Sequence, residues 1–288
     1  MKHFFVIFLA ICTACLLIPA EALAWGPGVH LALGNHLLSN LYLLTEPVAV
    51  LIQAYQESFL YGCLSADILV GKGKKLTKTH CHSWQAGLKL LNSVQEDNLK
   101  AYAYGYLSHL AADVVAHNYY VPNMLQLGKG KGKLSHVYIE MQADRNICHN
   151  RAELKKILGR PQKNADALLV NILKKPRFIF SFKKRLFRSG LALARKQACS
   201  CYLDFMAEKS LSDHDYVEYH EEMTKLSFYL IVDCLQNTER SVVSDFDPMG
   251  FENLGLVKKS KTLSTQSMSP VRPFFLPALN LLALDTSG

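Results

Sequence analysis

One apolar stretch, residues 97–121, most constrains what this chain can fold into. Its sequence, "DNLKAYAYGYLSHLAADVVAHNYYV", is long, apolar and rich in small residues, which predicts a helix that is buried on most sides. This helix carries His109, Asp113 and His117 on one face, because steps of four residues make slightly more than one turn. Burying an unpaired polar group costs about 1–3 kcal/mol, and a bare charge costs more. Something must therefore compensate these three side chains inside the fold.

The remaining sequence is also helical in pattern. "VHLALGNHLLSNLYLL" (29–44) has apolar residues at spacings of three and four, and "SHVYIEMQADRNI" (135–147) begins with Ser135 as the expected N-cap. No alternating run bounded by turn signals predicts a sheet. We therefore predict an all-α, multi-helix bundle with a helical, partly disordered C-terminal extension.

The N-terminus has the pattern of a secretory signal peptide. Lys2 and His3 precede an apolar run over 4–20, and Ala-Leu-Ala at 22–24 matches an A-x-A cleavage site. Cleavage there makes Trp25 the first residue of a periplasmic or secreted protein. The alternative is an uncleaved anchor helix, although the apolar run is shorter than the roughly 20 residues that span a bilayer.

Export would place the cysteines beyond the signal in a compartment that permits disulfides. Six cysteines allow 15 pairings, and the sequence does not choose among them. These cysteines are Cys63, Cys81, Cys148, Cys199, Cys201 and Cys234.

The net charge of +8 indicates anionic partners such as phospholipid surfaces, nucleic acid or phosphate esters, or else a solvated basic surface. Two basic glycine-rich segments, 71–78 and 128–133, are interpreted as a rim that attracts phosphate or as solvated loops. The basic, aromatic segment 176–196 has helical periodicity. It could lie on a membrane surface or pack its apolar face inside the protein.

Further histidines and acids stand in unusual places. His136 and Glu140 repeat the spacing of four on a second predicted helix, and such a pair can hold one cation from the same side. A single histidine of this kind is more often an ordinary core residue, but several His/acid groups together predict a multi-metal site. Imidazole and carboxylate ligands suit zinc. The other candidates are Asp67 in "CLSADILV", His80 and His82 in "THCHSW", and His30.

The motifs "WGPGVH", "SAD", "HSW", "HLAADVVAH" and "HVYIE" occur in this order over roughly residues 25–145. In this set and order the sequence resembles the zinc-dependent phospholipase C family, which shares its fold with the fungal single-strand-specific nucleases. The resemblance implies an all-α fold that holds up to three Zn²⁺ ions. The spacing of four between Asp113 and His117 is shorter than in bacillus-type phospholipases, and is similar to the catalytic domain of glycosylphosphatidylinositol-specific phospholipase D.

The resemblance also implies which residues hold each ion. The first ion would have Asp67, His82, His109 and Asp113; the second His117, His136 and Glu140; the third His30, Asp113 and the free amino group and carbonyl of Trp25. Asp67 is also the expected catalytic residue, which orients the nucleophile. His80 competes with His82; we favour His82 for its "His-x-Trp" context and its gap of fifteen from Asp67. Four histidines are given no role: His36, His149, His214 and His220.

We therefore predict an exported zinc-dependent phosphodiester hydrolase, a phospholipase C that acts on phospholipid head groups through a zinc-activated water. One alternative is a nuclease whose Tyr119, Tyr120 and Tyr138 stack bases, and another is a zinc-binding homologue without turnover. No protein partner is inferred. The predicted organisation is a signal peptide (1–24), a catalytic core (25–150), a helical region that completes or covers the core (151–256) and a low-order tail (257–288).

Overall fold

The structure, a computed structural model, describes residues 25–69, 80–127, 139, 142–144, 147, 150–193, 213–263 and 275–283. Within these ranges the protein forms twelve α-helices and no strand, which confirms the predicted all-α class. The predicted signal peptide and both glycine-rich loops lie outside the described residues. The helices are α1 (Pro27–Leu38), α2 (Glu46–Ala54), α3 (Gln56–Ser65), α4 (Trp84–Asn92), α5 (Asp97–Val115), α6 (Val121–Leu127), α7 (Arg151–Gly159), α8 (Lys163–Ile172), α9 (Arg177–Leu193), α10 (Asp213–Asn237), α11 (Phe251–Leu263) and α12 (Leu279–Leu282).

Helix α5 is the centre of the bundle. It packs against α3, α4 and α10, and nearly every residue from Ala101 to Val115 is buried. The apolar pattern of residues 97–121 therefore predicted the correct environment. A π-helical segment, Ala116–Tyr120, continues α5 into α6, so the chain turns more widely where His117 lies.

Two glycines allow α3 and α5 to cross with their backbones in contact. A Cβ atom at Gly105 would lie 1.9 Å from the carbonyl oxygen of Phe59, and one at Gly62 would lie 2.1 Å from that of Tyr102. No larger residue fits this crossing without moving a helix. The 3₁₀ turn Ala66–Leu69, which carries Asp67, follows α3 directly and is thereby held close to α5.

The C-terminal helices complete the core. Helix α10 packs along α5, and α9 is fastened to the 3₁₀ turn by a hydrogen bond from Lys183 Nζ to the Leu69 carbonyl oxygen, at 3.1 Å. Helix α11 packs on the π-helical segment and continues to Leu263. Beyond it, Asn123 exchanges two hydrogen bonds with the backbone of Phe275, both at 2.9 Å.

Among the helices within the described ranges, none combines the length and the apolarity that crossing a membrane requires.

Candidate metal centre

Five polar side chains from four segments meet inside the bundle. All five are at most 5% exposed. They come from α1, the 3₁₀ turn after α3, the residues just before α4, and α5. They are His30, Asp67, His82, His109 and Asp113.

One group of donors surrounds the ring of His82. Its Nε2 atom lies 3.3 Å from Asp67 Oδ1, 3.1 Å from His109 Nε2 and 3.4 Å from Asp113 Oδ2. His109 Nε2 in turn lies 3.0 Å from Asp113 Oδ2 and 3.6 Å from Asp67 Oδ1. Two imidazoles and two carboxylates thus converge, as in a four-coordinate zinc site.

A second group forms around the other oxygen of Asp113. His30 Nε2 lies 3.3 Å from Asp113 Oδ1, and the His30 ring stacks on the His109 ring with centroids 3.9 Å apart. Asp113 therefore presents one oxygen to each group. This is the arrangement that a carboxylate bridging two ions requires.

Several buried polar atoms of this cluster lack hydrogen-bond partners, as expected of a site that a metal ion would fill. His30 Nε2, Asp67 Oδ2 and both oxygens of Asp113 are buried without a hydrogen-bond partner. Each such atom costs about 1–3 kcal/mol unless something satisfies it. A cation in each of the two groups would satisfy His30 Nε2 and both oxygens of Asp113, and the nitrogen and oxygen donors suit zinc.

Surrounding residues orient the two central rings. His109 Nδ1 lies 2.9 Å from the carbonyl oxygen of Cys63, and because a carbonyl only accepts, Nδ1 carries the proton and Nε2 faces the cluster with its lone pair. His82 turns its Nδ1 atom toward Cys81 Sγ, at 3.3 Å. The hydroxyl of Tyr106, on α5, donates to the Cys81 carbonyl oxygen and so fastens this segment to the central helix.

Electrostatics favour the metal-binding forms of Asp113 and His30. Burial alone would raise the pKa of Asp113, but its close contacts with the imidazoles of His109 and His30 lower this pKa well below its usual value. Burial, together with the nearby charge of His109, lowers the pKa of His30. Asp113 is thus held as a carboxylate and His30 as a neutral imidazole.

His109 behaves in the opposite way. Burial would lower its pKa, but the carboxylates of Asp113 and Asp67 raise it above its usual value. A metal and a proton therefore compete for Nε2 of this ring, so metal affinity should fall as the pH falls.

The structure separates the two candidate histidines of "THCHSW". His82 lies beside Asp67, whereas His80 uses its Nδ1 atom to accept the backbone N–H of His82, at 3.1 Å. Helix α4 begins directly afterwards, with Ser83 as its N-cap. The side chain that points into the cluster is thus that of His82.

The ligands expected for a second ion are only partly described. His117 is fully buried in the π-helical segment, and Gly250, at φ +55°, approaches its carbonyl so closely that a Cβ atom there would lie 2.2 Å away. His136 and Glu140 lie outside the described residues.

Trp25 is fully buried five positions before His30. Its Nε1 atom donates to Ser227 Oγ on α10 at 3.1 Å, and its ring packs on Tyr120 and edge-on against His220. The residue predicted to begin the mature protein is therefore part of the core. The ring of His220, a histidine with no predicted role, helps to hold Trp25 in this position.

Asp144 was missed by the sequence analysis. Its two carboxylate oxygens accept the backbone N–H groups of Gly28 and Val29, at 3.1 and 3.0 Å, and so cap the start of α1 just before His30. Burial raises the pKa of Asp144 to about 7, against the effect of these two hydrogen bonds. A cap supplied from more than 100 positions away leaves no local signal in the sequence.

The described cysteines and tyrosines bear on two further expectations. Cys63, Cys81 and Cys234 are free and buried, so none of the described cysteines forms a disulfide. Tyr119 and Tyr120 are buried and offer no open ring face to a base, while Tyr138 lies outside the described residues.

Comparison with known proteins agrees with this donor set. A model of the zinc-dependent phospholipase C family matches residues 29–188, which begins after Trp25 and continues past residue 145, where the motifs end. Searches of curated proteins and of solved structures gave no significant match. The family match covers more than half of the chain, from the helix that carries His30 to most of α9. The chain therefore belongs to the zinc-dependent phospholipase C family.

Proposed function

We propose that this protein is an exported phospholipase C that hydrolyses the phosphodiester between diacylglycerol and the head group. The observation that carries the proposal is the buried cluster, in which five metal-binding side chains include four atoms without a hydrogen-bond partner. Membership of the family supports zinc as the metal and a phospholipid as the substrate.

Two ions account for the described side chains. Asp67, His82, His109 and Asp113 would hold one, and His30 with the second oxygen of Asp113 would hold another. The amino group of Trp25 would join the latter ion once residue 24 is removed, which ties completion of the site to export. A further ion would be held by His117 with His136 and Glu140.

When bound, zinc lowers the pKa of a coordinated water to about 7 and offsets the negative charge of the phosphate. Asp67 accepts hydrogen bonds through Oδ2, the oxygen without a partner in the fold, and orients the attacking water. The water oxygen forms a bond to phosphorus, and the bond from phosphorus to the glycerol oxygen breaks. Diacylglycerol leaves with a proton, and the phosphorylated head group is the second product.

The decisive experiment combines metal content with two substrates. Protein exported and purified without chelator should contain two to three zinc ions per chain by elemental analysis, and Edman sequencing should begin at Trp25. It should release phosphocholine from phosphatidylcholine, and leave single-stranded DNA intact.

Each other outcome has a defined meaning. Cleavage of the DNA alone would replace the proposal by the nuclease, and full zinc content without turnover of either substrate would indicate a binding protein. Protein that starts at Trp25 and holds no zinc would refute the metal site.

A further inference from the structure

Helix α9 turns two large apolar side chains to the outside. Phe178 is 74% exposed and Phe182 is 64% exposed, whereas Phe180 between them is buried against the core. Phe178 and Phe182 are one turn apart and therefore neighbours on the same face. The two phenylalanines thus place most of their apolar surface in water.

Cations without acidic partners surround this pair. No Asp or Glu occurs between residues 174 and 193. The inner lysine, Lys184, is already used: it binds Asp166 at 2.7 Å and lies over the Tyr61 ring. Five other basic residues are exposed, and none of them forms an ion pair within the described part of the chain: Lys174, Lys175, Arg177, Arg185 and Arg188.

Helix α9 is also fastened to the candidate metal centre. Lys183 Nζ donates to the carbonyl oxygen of Leu69, in the same 3₁₀ turn that carries Asp67. A surface bound to the outer side of α9 is thus linked through this helix to the turn that carries Asp67, the expected catalytic carboxylate.

We propose that the surface formed by Phe178, Phe182 and the five exposed cations, three on α9 and two just before it, docks the protein on an anionic phospholipid bilayer. The two rings enter the boundary between head groups and acyl chains, and the cations contact lipid phosphates. A second copy of the chain does not fit this face, because five cations would meet five cations. Docking would deliver substrate to the metal centre, and in this respect the inference rests on the proposed function. The binding itself depends only on the exposed rings and cations.

Vesicle flotation tests the docking directly. The wild type should float with vesicles that contain phosphatidylglycerol, bind phosphatidylcholine vesicles more weakly, and lose binding to anionic vesicles as salt is raised. The double variant Phe178→Ser/Phe182→Ser should bind anionic vesicles at least about tenfold more weakly. Tyr42→Ser is the matched control, because Tyr42 is 80% exposed on a different turn and should bind as the wild type does.

Hydrolysis of two forms of one lipid separates docking from catalysis. The double variant should cleave a short-chain phosphatidylcholine below its micelle concentration at the wild-type rate, and cleave vesicles at least tenfold more slowly. Equal vesicle binding by the double variant and the wild type would overturn the proposal. So would a wild type that binds single-stranded DNA but no vesicle through these side chains.

Failure of the proposed function gives a different pattern. A wild type that floats with anionic vesicles through Phe178 and Phe182 but hydrolyses neither lipid form would keep the docking face and refute the phospholipase. A wild type that hydrolyses the monomeric lipid while binding no vesicle would keep the phospholipase and refute the docking face.

Discussion

The crossing of α3 and α5 makes the sharpest prediction, because one methyl group should affect both the fold and the metal centre. In Gly105→Ala the new Cβ would lie 1.9 Å from the Phe59 carbonyl oxygen. An ordinary carbon–oxygen contact between helices is about 3.3 Å or more, so the helices must separate by about 1.4 Å. The hydrogen bond from His109 Nδ1 to the Cys63 carbonyl spans the same crossing, at 2.9 Å, and would be lost or strained.

The expected magnitude follows from these two effects. Overpacking costs about 1–3 kcal/mol. A broken buried hydrogen bond adds about 1–3 kcal/mol, and the better helix propensity of alanine returns about 1 kcal/mol. Gly105→Ala should therefore lower the free energy of unfolding by about 1–5 kcal/mol. Gly255→Ala is the matched control: nothing lies within 4 Å of its Cβ position in α11, and it should stabilise the protein by about 0.5–1 kcal/mol.

Urea unfolding of both variants, with zinc and after chelation, measures the two effects separately. Gly105→Ala should unfold at a lower urea concentration in both forms, and it should bind zinc at least about tenfold more weakly, since a residue that orients a ligand typically contributes 10- to 100-fold in affinity. Stability equal to that of the wild type would refute the close crossing. Reduced stability with unchanged zinc affinity would refute the role of the crossing in orienting His109.

Asp113→Asn should remove more than one zinc ion per chain and abolish hydrolysis, because Asp113 presents one oxygen to each group of donors; full zinc content would contradict this bridging position. His82→Ala should weaken zinc binding by at least about 100-fold and His80→Ala by less than about tenfold, as measured by competition with a chromophoric chelator. Burial lowers the pKa of His220 to about 4, so below pH 6.5 the unfolded chain binds a proton that the folded protein does not, and stability falls as the pH falls toward 4. His220→Leu should therefore lose about 1–2 kcal/mol less stability than the wild type between pH 7 and pH 5. Identical pH profiles of the two proteins in urea unfolding would contradict the lowered pKa of His220.

The central helix could be predicted from sequence because its signal is local. An apolar stretch with small residues predicts burial wherever it occurs, and the spacing of His109 and Asp113 places both on one face before any partner is known. The predictions of a buried α5 and of an all-α fold are therefore confirmed. The sequence indicated Asp67, His82 and His30 as candidate metal ligands only because they are polar residues in apolar or histidine-rich segments. Their grouping around particular ions came from the order of the family's motifs.

Other parts of the site depend on contacts between distant segments. Nothing in the sequence near Gly62 and Gly105 indicates that α3 and α5 cross at these two residues with their backbones in contact. Asp144 acts as a cap for α1 through two backbone N–H groups, yet nothing near either position predicts the pairing. The polar composition of the sequence around α11 does not predict a helix that packs on the π-helical segment, because that contact is made with a distant part of the chain.

The metal centre depends on more of the chain than the family match covers. The match ends at residue 188, but α10 lies along α5, and its Ser227 accepts the hydrogen bond from Trp25. Without α10, the part of α5 that packs against it would face water, and Trp25 would lose both its hydrogen bond and the ring of His220. The two carboxylates and three imidazoles are compensated only while that core keeps them dry and close together. The structural unit that can hold the metal therefore includes α10, and the C-terminal half is part of the site's architecture rather than an appendage to it.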